Sequence, residues 1–257
     1  MKESFKKLAR WLAQNRIFSR AWKILESMVL CGLERKRGVV LFYDEAGKSG
    51  ILDLIREIKS QTTMLLADDE AYQLFTAVRS TQKISGDIAE VGVYRGGSAR
   101  LICEAKGDRV LHLFDTFQGL PETGKADHPV FRKGKYAASL EEVKHFLRGY
   151  RNVYFYKGLF PATAEPLSDQ RFSMVHLDAD LYESTRNCLQ FFYPRMTPGG
   201  VMMAHDFNLR QGVRKAFVEF FVHKPESIIE MSGTHCLVVK TFPPDSLNPR
   251  SLSAELA

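Results

Sequence analysis

The sequence predicts an α/β protein with a doubly wound, mainly parallel seven-stranded sheet, an antiparallel C-terminal hairpin and a helical N-terminal extension. From residue 87 onward, short apolar runs typical of strands alternate with amphipathic stretches typical of helices, which indicates βαβ units and a parallel sheet. Near the C-terminus, two strand-like runs are separated only by Ser232-Gly233-Thr234, a spacing typical of a hairpin. The length of 257 residues accommodates one such domain with additions.

The predicted elements follow in order along the chain. Helical periodicity covers residues 3–30 and 68–83, and the second stretch has acids in its first turn, where they suit the helix dipole. The predicted strands are 87–93, 110–114, 152–156, 172–178 and 200–205, the helices that follow them are 97–106, 139–149, 182–194 and 209–223, and the hairpin strands are 226–231 and 235–241.

Positive charge is concentrated at the N-terminus. Residues 1–40 contain ten Lys or Arg and three acidic residues, a net +7, so the rest of the chain is close to neutral within a total of +6. We therefore predict a basic helical extension at 1–60, an α/β domain at 61–242 and a flexible tail at 243–257.

Three interpretations compete for the basic extension. It lacks any recognisable nucleic-acid-binding motif, so no nucleic-acid partner is predicted. The aromatic residues Trp11, Phe18 and Trp22 among lysines and arginines would suit a peripheral helix on a membrane surface. Alternatively, its apolar stripes pack on the sheet domain or on a second subunit.

Several classes of protein are excluded by simple patterns. No apolar run reaches the roughly 18 residues of a membrane span, and the charged N-terminus lacks the apolar core of a signal peptide. The four cysteines are scattered and form no CxxC pair, which argues against a disulfide framework or a cysteine-based zinc site. These observations predict a cytoplasmic location.

A glycine-rich turn follows the first predicted strand, where open α/β sheets bind ligands. A dinucleotide-binding turn would read GxGxxG, and here Glu90 stands two residues before Gly92 and breaks that pattern. An acid at this position would repel a pyrophosphate and suit a cationic ligand. The remaining small residues of the turn are Gly96, Gly97 and Ser98.

Asp115 ends the second predicted strand, about 20 residues after the glycine turn, which is the spacing typical of an acid that binds ribose hydroxyls. The alternative is an aspartate that caps a helix or a turn.

Four segments together resemble a known family. DTFQGLPE at 115–122, LDADLYEST at 177–185, YPRMTPGG at 193–200 and AHDF at 204–207 are similar to motifs of the macrocin O-methyltransferase (TylF-like) family of class I S-adenosylmethionine (SAM) methyltransferases. The resemblance spans residues 60–240. It implies a Rossmann-like fold, SAM as cofactor, a hydroxylated small-molecule substrate such as a sugar or glycoside, and a homodimer in which N-terminal helices contribute to the substrate pocket.

The resemblance also implies roles for individual residues. SAM would be bound at Glu90, Gly92, Gly96, Gly97 and Ser98, its ribose at Asp115 and its adenine near Gly158, with Thr116, Phe117 and Asp178 also binding the cofactor.

A divalent metal, usually magnesium, would lie on Asp178 and on a pair of acids after the next strand. That pair is His205-Asp206 here, where the family has Asp-Asp. Magnesium prefers oxygen ligands, whereas imidazole suits manganese, iron or zinc. The metal therefore differs, or His205 does not bind it, or the metal has been lost. Asp180 is expected to point away from this site and cap the next helix.

The general base is sought in the polar loop 122–136, which could act as a lid. His128 lies in this loop and is our candidate for the base, with Asp178 as the second catalytic residue; the alternative is a solvent-exposed loop histidine. The competing functions are a metal-independent methyltransferase of the same fold, a catalytically inactive SAM-binding module and, more distantly, a nicotinamide oxidoreductase.

Overall fold

A computed structural model describes residues 48–241 of the chain. The helix predicted at 3–30, most of the basic extension and the predicted tail lie outside the described residues. None of the helices between residues 48 and 241 combines the length and apolar composition needed to cross a bilayer.

Six α-helices and seven strands are present in the described part of the chain. The helices are α1 (Lys48–Gln61), α2 (Asp68–Ser80), α3 (Gly97–Ala105), α4 (Leu140–Phe146), α5 (Tyr182–Phe192) and α6 (Gln211–Phe221), and the strands are β1 (Asp87–Val91), β2 (Leu111–Asp115), β3 (Val153–Lys157), β4 (Phe172–Leu177), β5 (Met196–Ala204), β6 (Ile229–Glu230) and β7 (Cys236–Val239).

The seven strands form one sheet in the order β3-β2-β1-β4-β5-β7-β6. The first five strands pair in parallel, whereas β7 runs antiparallel to β5 and to β6. The predicted fold class is therefore confirmed, including the C-terminal hairpin. The strand order reverses between β1 and β4, and in sheets of this kind the crevice outside the carboxyl ends at that point binds ligands.

The central strands are mainly apolar because both faces of the sheet are covered. All six residues of β4 are buried, as expected for a parallel strand between two helical layers. Successive side chains alternate between two hydrophobic clusters: Met174 packs with Ile88 and the helices α1, α2 and α3, while Val175 packs on the opposite face with Phe192 and Phe217. This covering leaves the carboxyl ends of the strands as the open edge.

Helix α1 is the main difference from the predicted elements. The sequence pattern did not single it out, yet Ile55 and Ile58 are fully buried in the cluster that also contains residues of α2 and α3. The helix crosses the predicted boundary at residue 60, and that boundary stays a prediction. Strand β5 also begins earlier than predicted, at Met196, because Gly199, with φ of 84°, lies in an irregular stretch that still pairs with β4 and β7.

Glu226 connects the C-terminal hairpin with the end of α5 through hydrogen bonds. Its buried carboxylate accepts hydrogen bonds from Lys240 Nζ at 2.7 Å, from the Thr241 N–H at 3.2 Å and from the Tyr193 hydroxyl at 2.8 Å. Burial alone would raise its pKa, but Lys240 and Tyr193 outweigh burial and lower the pKa from 4.5 to about 2. The ionised form therefore stabilises the fold above pH 4.5, and this contribution is lost as the pH falls towards 2.

We expect Glu226→Gln to lower the free energy of unfolding by about 2 kcal/mol at pH 7, because an amide replaces a buried, paired carboxylate. Urea unfolding at pH 7 and at pH 3 measures the effect, which should shrink at the lower pH. Glu165→Gln, at an exposed position, is the control. An equal loss at both pH values would contradict the ionic origin of the effect.

Candidate active site

The glycine turn joins β1 to α3 and needs glycine at two positions. Gly92 and Gly96 have φ of 91° and 77°, in the region that favours glycine. A Cβ at Gly92 would lie only 2.0 Å from the backbone oxygen of Asp178. The turn predicted to bind SAM is therefore in direct contact with the loop that carries the predicted catalytic acid.

Asp115 holds the same turn from the end of β2. Its Oδ2 accepts hydrogen bonds from the N–H groups of Val93 and Tyr94 at 2.8 and 2.9 Å, and its Oδ1 accepts one from the Phe117 N–H at 2.7 Å. Both lone pairs of Oδ2 are thus used, whereas Oδ1 has one lone pair left for a further donor. The structure thus brings together the two elements that were predicted to bind the cofactor.

The neighbours of Asp115 complete this side of the cleft. The Gly158 N–H donates to the Asp115 backbone oxygen at 3.0 Å, which places the predicted adenine side next to the predicted ribose side. The Thr116 hydroxyl donates to the Gly119 oxygen at 2.6 Å, and Phe117 is largely buried with φ of 53°. Gly158, Asp115 and the glycine turn are therefore linked by hydrogen bonds along one side of the cleft.

Two predicted cofactor contacts have different neighbours from those expected. Glu90 is fully buried, and its Oε1 lies 2.9 Å from Nδ1 of His176 on the adjacent strand. Burial raises the pKa of Glu90 in spite of His176 and the Ser98 hydroxyl, which both favour its ionised form. Glu90 and the largely buried Ser98 therefore pack behind the turn, and no carboxylate of Glu90 is open to the cleft.

Gly97 also has a packing role. A Cβ there would lie 2.6 Å from the Cβ of Met64, in the connection between α1 and α2. The close packing of α3 on that connection explains why the residue is small, and the cofactor contact of Gly97 stays a prediction.

The acidic group lies at the carboxyl ends of β4 and β5. His205 is clamped between two carboxylates: its Nδ1 is 3.0 Å from Asp178 Oδ1, and its Nε2 is 3.4 Å from Glu70 Oε2 on α2. Burial alone would lower the pKa of His205, but Asp178, Glu70 and Asp206 outweigh burial and raise it well above its usual value. A carboxylate can only accept a hydrogen bond, so both ring nitrogens are placed to donate.

The neighbouring carboxyls respond to this cation. His205 lowers the pKa of Asp178 although burial opposes this, so Asp178 is ionised. Asp180 behaves in the opposite way: burial and the charges of Asp178 and Asp206 raise its pKa well above the usual value, and its carboxyl donates to Asp206. The expectation that Asp180 points away and caps α5 is wrong, because its φ of 60° turns the chain and brings the side chain to Asp206.

These side chains do not fit the predicted metal set of Asp178, His205 and Asp206. A metal ligand must offer a lone pair, and both nitrogens of His205 face carboxylates instead. Asp206 is engaged by Asp180 and by Arg210, whose Nε lies 3.4 Å from Asp206 Oδ2. Within residues 48–241, no cluster of three or more His, Cys, Asp or Glu side chains is arranged to hold a metal ion.

His128 makes no hydrogen bond or ion pair with this group in the described part of the chain. Its side chain is exposed, and its Nδ1 accepts a hydrogen bond from the Val130 N–H at 3.2 Å within the same loop. Its role as the base stays a prediction that requires the loop to move.

Two residues of the site were missed at the sequence level. Glu70 was counted only as an acid in the first turn of α2, yet it accepts hydrogen bonds from the N–H of Ala67 and from the N–H and hydroxyl of Thr234 besides contacting His205. Asp127 caps α5, accepting from the Tyr182 N–H at 2.7 Å. The ADDE stretch signals the helix start, but neither long-range contact has a signal in the sequence.

Comparison with known proteins agrees with this arrangement. Residues 68–232 match the family model described as macrocin-O-methyltransferase (TylF). The chain is 33% identical over 169 residues to the 8-demethyl-8-(2,3-dimethoxy-alpha-L-rhamnosyl)-tetracenomycin-C 4'-O-methyltransferase of Streptomyces olivaceus, covering 58% of this chain and 65% of that one. It is 30% identical over 153 residues to the demethyldecarbamoylnovobiocin O-methyltransferase of Streptomyces niveus, covering 53% and 58%.

The similarity to these relatives spans less than two thirds of their length. Among solved structures, the O-methyltransferase NovP superposes with a TM-score of 0.61 at 26% identity, covering 70% of this chain and 82% of that one. The family model covers more than half of the chain. Three of the four motifs, at 115–122, 177–185 and 204–207, lie at the carboxyl ends of strands, and the fourth, at 193–200, leads into β5. The chain therefore belongs to the macrocin-O-methyltransferase (TylF) family.

Proposed function

We propose that this chain is a SAM-dependent O-methyltransferase that acts on a hydroxyl of a small molecule, a sugar or a glycoside. The observation that carries the proposal is the contact between Gly92 and the backbone of Asp178. It joins the turn suited to the cofactor and the acidic loop suited to the acceptor, so that methyl donor and hydroxyl would meet without a large movement.

The cofactor side is formed by Asp115 and the residues around it. Asp115 would accept a hydrogen bond from a ribose hydroxyl through the remaining lone pair of Oδ1 while still holding Val93 and Tyr94 through Oδ2. Thr116, Phe117 and Gly158 would line the adenine side. When bound, SAM supplies an activated methyl group on a sulfonium, and the proposed site offers it carboxylates and no phosphate-binding loop.

The acceptor side is formed by ionised Asp178 with Asp206. Asp178 would accept a hydrogen bond from the acceptor hydroxyl and orient its oxygen, while His205 holds the carboxylate in place. The proton would pass to Asp178 or, after movement of the loop, to His128. Most of the rate enhancement would come from positioning the two reactants.

The proposed substrate class is supported by the relatives. Their names describe a rhamnosyl tetracenomycin, a demethyldecarbamoylnovobiocin and, for a relative from Micromonospora griseorubida, mycinamicin III. That third relative is 30% identical over 142 residues, which cover 48% of this chain and 56% of that one. We transfer from them only the class of a hydroxyl on a sugar or glycoside, and leave the position of methylation open.

The side chains around His205 favour a methyl transfer that needs no metal ion. Magnesium or another divalent ion is implied by the family resemblance, but His205 fills the space between Asp178 and Glu70 and supplies a positive charge there. We therefore assign no step of the reaction to a metal.

We also propose that the chain works in the cytoplasm as a homodimer, with the extension at 1–60 packing on the domain at 61–242 or on the second subunit rather than on a membrane. Light scattering of the full chain and of a chain that begins at Lys48, the first residue of α1, would test the dimer and the role of the extension in it. A monomer in both cases would contradict the proposal.

The function is tested by incubation with methyl-labelled SAM and a panel of glycosides with free neighbouring hydroxyls, with and without EDTA. The same glycosides with blocked hydroxyls are the matched controls. We expect label only in the free glycosides and no effect of EDTA. Tight SAM binding without transfer to any acceptor would instead indicate a binding module.

A further inference from the structure

The loop between β2 and α4 is closed on itself at its neck. The Leu120 N–H donates to the Lys135 oxygen at 2.8 Å, and the Gly134 N–H donates to the Leu120 oxygen at 2.9 Å. Gly119 allows this closure, since a Cβ there would lie 2.4 Å from the Gly134 oxygen. Residues 120–135 therefore form a compact loop that begins five residues after Asp115.

Asp127 ties the tip of this loop to the acidic segment. Its Oδ2 accepts a hydrogen bond from the Gly124 N–H at 2.7 Å, and its Oδ1 accepts one from the Tyr182 N–H at 2.7 Å. Leu181, the N-cap residue of α5, makes no capping bond with its own side chain, so a carboxylate from 55 residues away supplies the cap. Tyr182 follows Asp178 and Asp180 by only a few residues.

The tip of the loop also packs closely against the first turn of α6. A Cβ at Gly212 would lie 3.0 Å from Asp127 Oδ1, 3.2 Å from the Ala126 oxygen and 3.2 Å from the Tyr182 nitrogen. The side chain of Asp127 thus lies where the N-terminal ends of α5 and α6 meet, and both helices follow the strands that carry the acidic group.

A second contact connects the loop to the same group. Phe131 is buried beneath the guanidinium of Arg210, which lies 5.0 Å from the ring centre and also contacts Asp206 Oδ2 at 3.4 Å. The loop is therefore joined to the segment after β4 through Asp127 and to the segment after β5 through Phe131 and Arg210.

We propose that Asp127 is a positioning residue that latches the loop 120–135 onto the N-terminal ends of α5 and α6 and so determines the binding of the acceptor. The proposal rests on the proposed methyl transfer, because it takes the acidic edge as the acceptor side. Asp127 touches neither reactant: it acts by fixing the loop and the start of α5, beside Asp178.

Asp127→Ala tests the latch. We expect hydrogen exchange of the Tyr182 amide and of the loop to accelerate about tenfold or more, because two charge-assisted hydrogen bonds are lost. The KM for the acceptor should rise by roughly the same factor, while the Kd of SAM stays unchanged because Asp115 and the glycine turn are untouched.

Glu122→Ala is the matched control. Glu122 is an acid of the same loop, but its partner is the exposed Lys133 at 2.7 Å, also within the loop. This variant should leave amide exchange and KM at wild-type values. Asp127→Asn retains an acceptor for Tyr182 and should give an intermediate result.

Gly212→Ala approaches the same junction from α6 and is useful if Asp127→Ala does not fold. Alanine favours the helix, but its methyl group would push on Asp127 and Ala126, so loop exchange and KM should rise without loss of stability. Wild-type exchange at Tyr182 in both variants would overturn the latch. Hydrogen exchange is measured without any methyl transfer. A chain that methylates no acceptor would refute the proposed function, and the exchange rate of the Tyr182 amide would still show whether Asp127 holds the loop.

Discussion

Replacing Asp115 with alanine is expected to weaken SAM binding roughly a hundredfold, the largest effect that we expect for a single side chain on the cofactor side. The variant loses the acceptor for a ribose hydroxyl and also the three backbone N–H groups that Asp115 holds at Val93, Tyr94 and Phe117. The glycine turn would then lose its fixed position beside Asp178. Calorimetric titration with SAM and with S-adenosylhomocysteine measures the effect.

Two variants make this result specific. Asp115→Asn keeps the shape but replaces one accepting oxygen with a donor, so it should bind SAM with intermediate affinity. Asp169→Ala removes an exposed acid from the connection before β4 and should bind SAM like the wild type. If Asp115→Ala binds SAM normally, the cofactor does not lie against β2.

His205→Asp is expected to convert the acidic edge into a magnesium site. The change removes the cation between Asp178 and Glu70, and the introduced carboxylate joins Asp178. Magnesium would draw Asp206 away from Asp180 and Arg210 as the third oxygen donor, which completes a set that suits Mg²⁺. Without magnesium the variant should be less stable than the wild type, because several buried carboxylates face each other unpaired. Added magnesium should raise its melting temperature by mass action, while the wild type should not respond.

The matched control for this change is His223→Asp, which makes the same substitution at an exposed position after α6. Its melting temperature should be independent of magnesium. Methyl transfer by His205→Asp should become sensitive to EDTA, whereas the wild type should be insensitive. A wild-type protein that is stabilised by magnesium and inhibited by EDTA would contradict the structural reason given for metal independence.

The fold could be predicted because its strands are unambiguous. Four of the six residues of β4 are apolar and all six are buried, as expected for a parallel strand covered on both faces, and the spacing around Gly233 indicated the antiparallel hairpin. Asp115, Asp178 and Asp206 could be assigned to one edge because each follows a strand, and parallel strands end together.

The contacts that the sequence did not indicate depend on distances that it does not contain. Glu90 reads as a strand-end acid, but its register pairs it with His176 on β4 and turns it inward. Asp180 was expected to cap α5 because an extended chain was assumed, whereas its left-handed conformation brings it to Asp206. Asp127 and Glu70 act across 55 and 164 positions of the chain, through their hydrogen bonds with Tyr182 and Thr234.

The central claim is that the contact between the glycine turn and the Asp178 loop is a site of methyl transfer. Single-turnover transfer of labelled methyl from saturating SAM to a free glycoside tests it most directly, in the wild type and in Asp178→Asn. We predict transfer by the wild type and its loss in Asp178→Asn with SAM still bound, because the amide cannot accept the hydroxyl proton as the carboxylate does. Transfer at the wild-type rate by Asp178→Asn would contradict the claim.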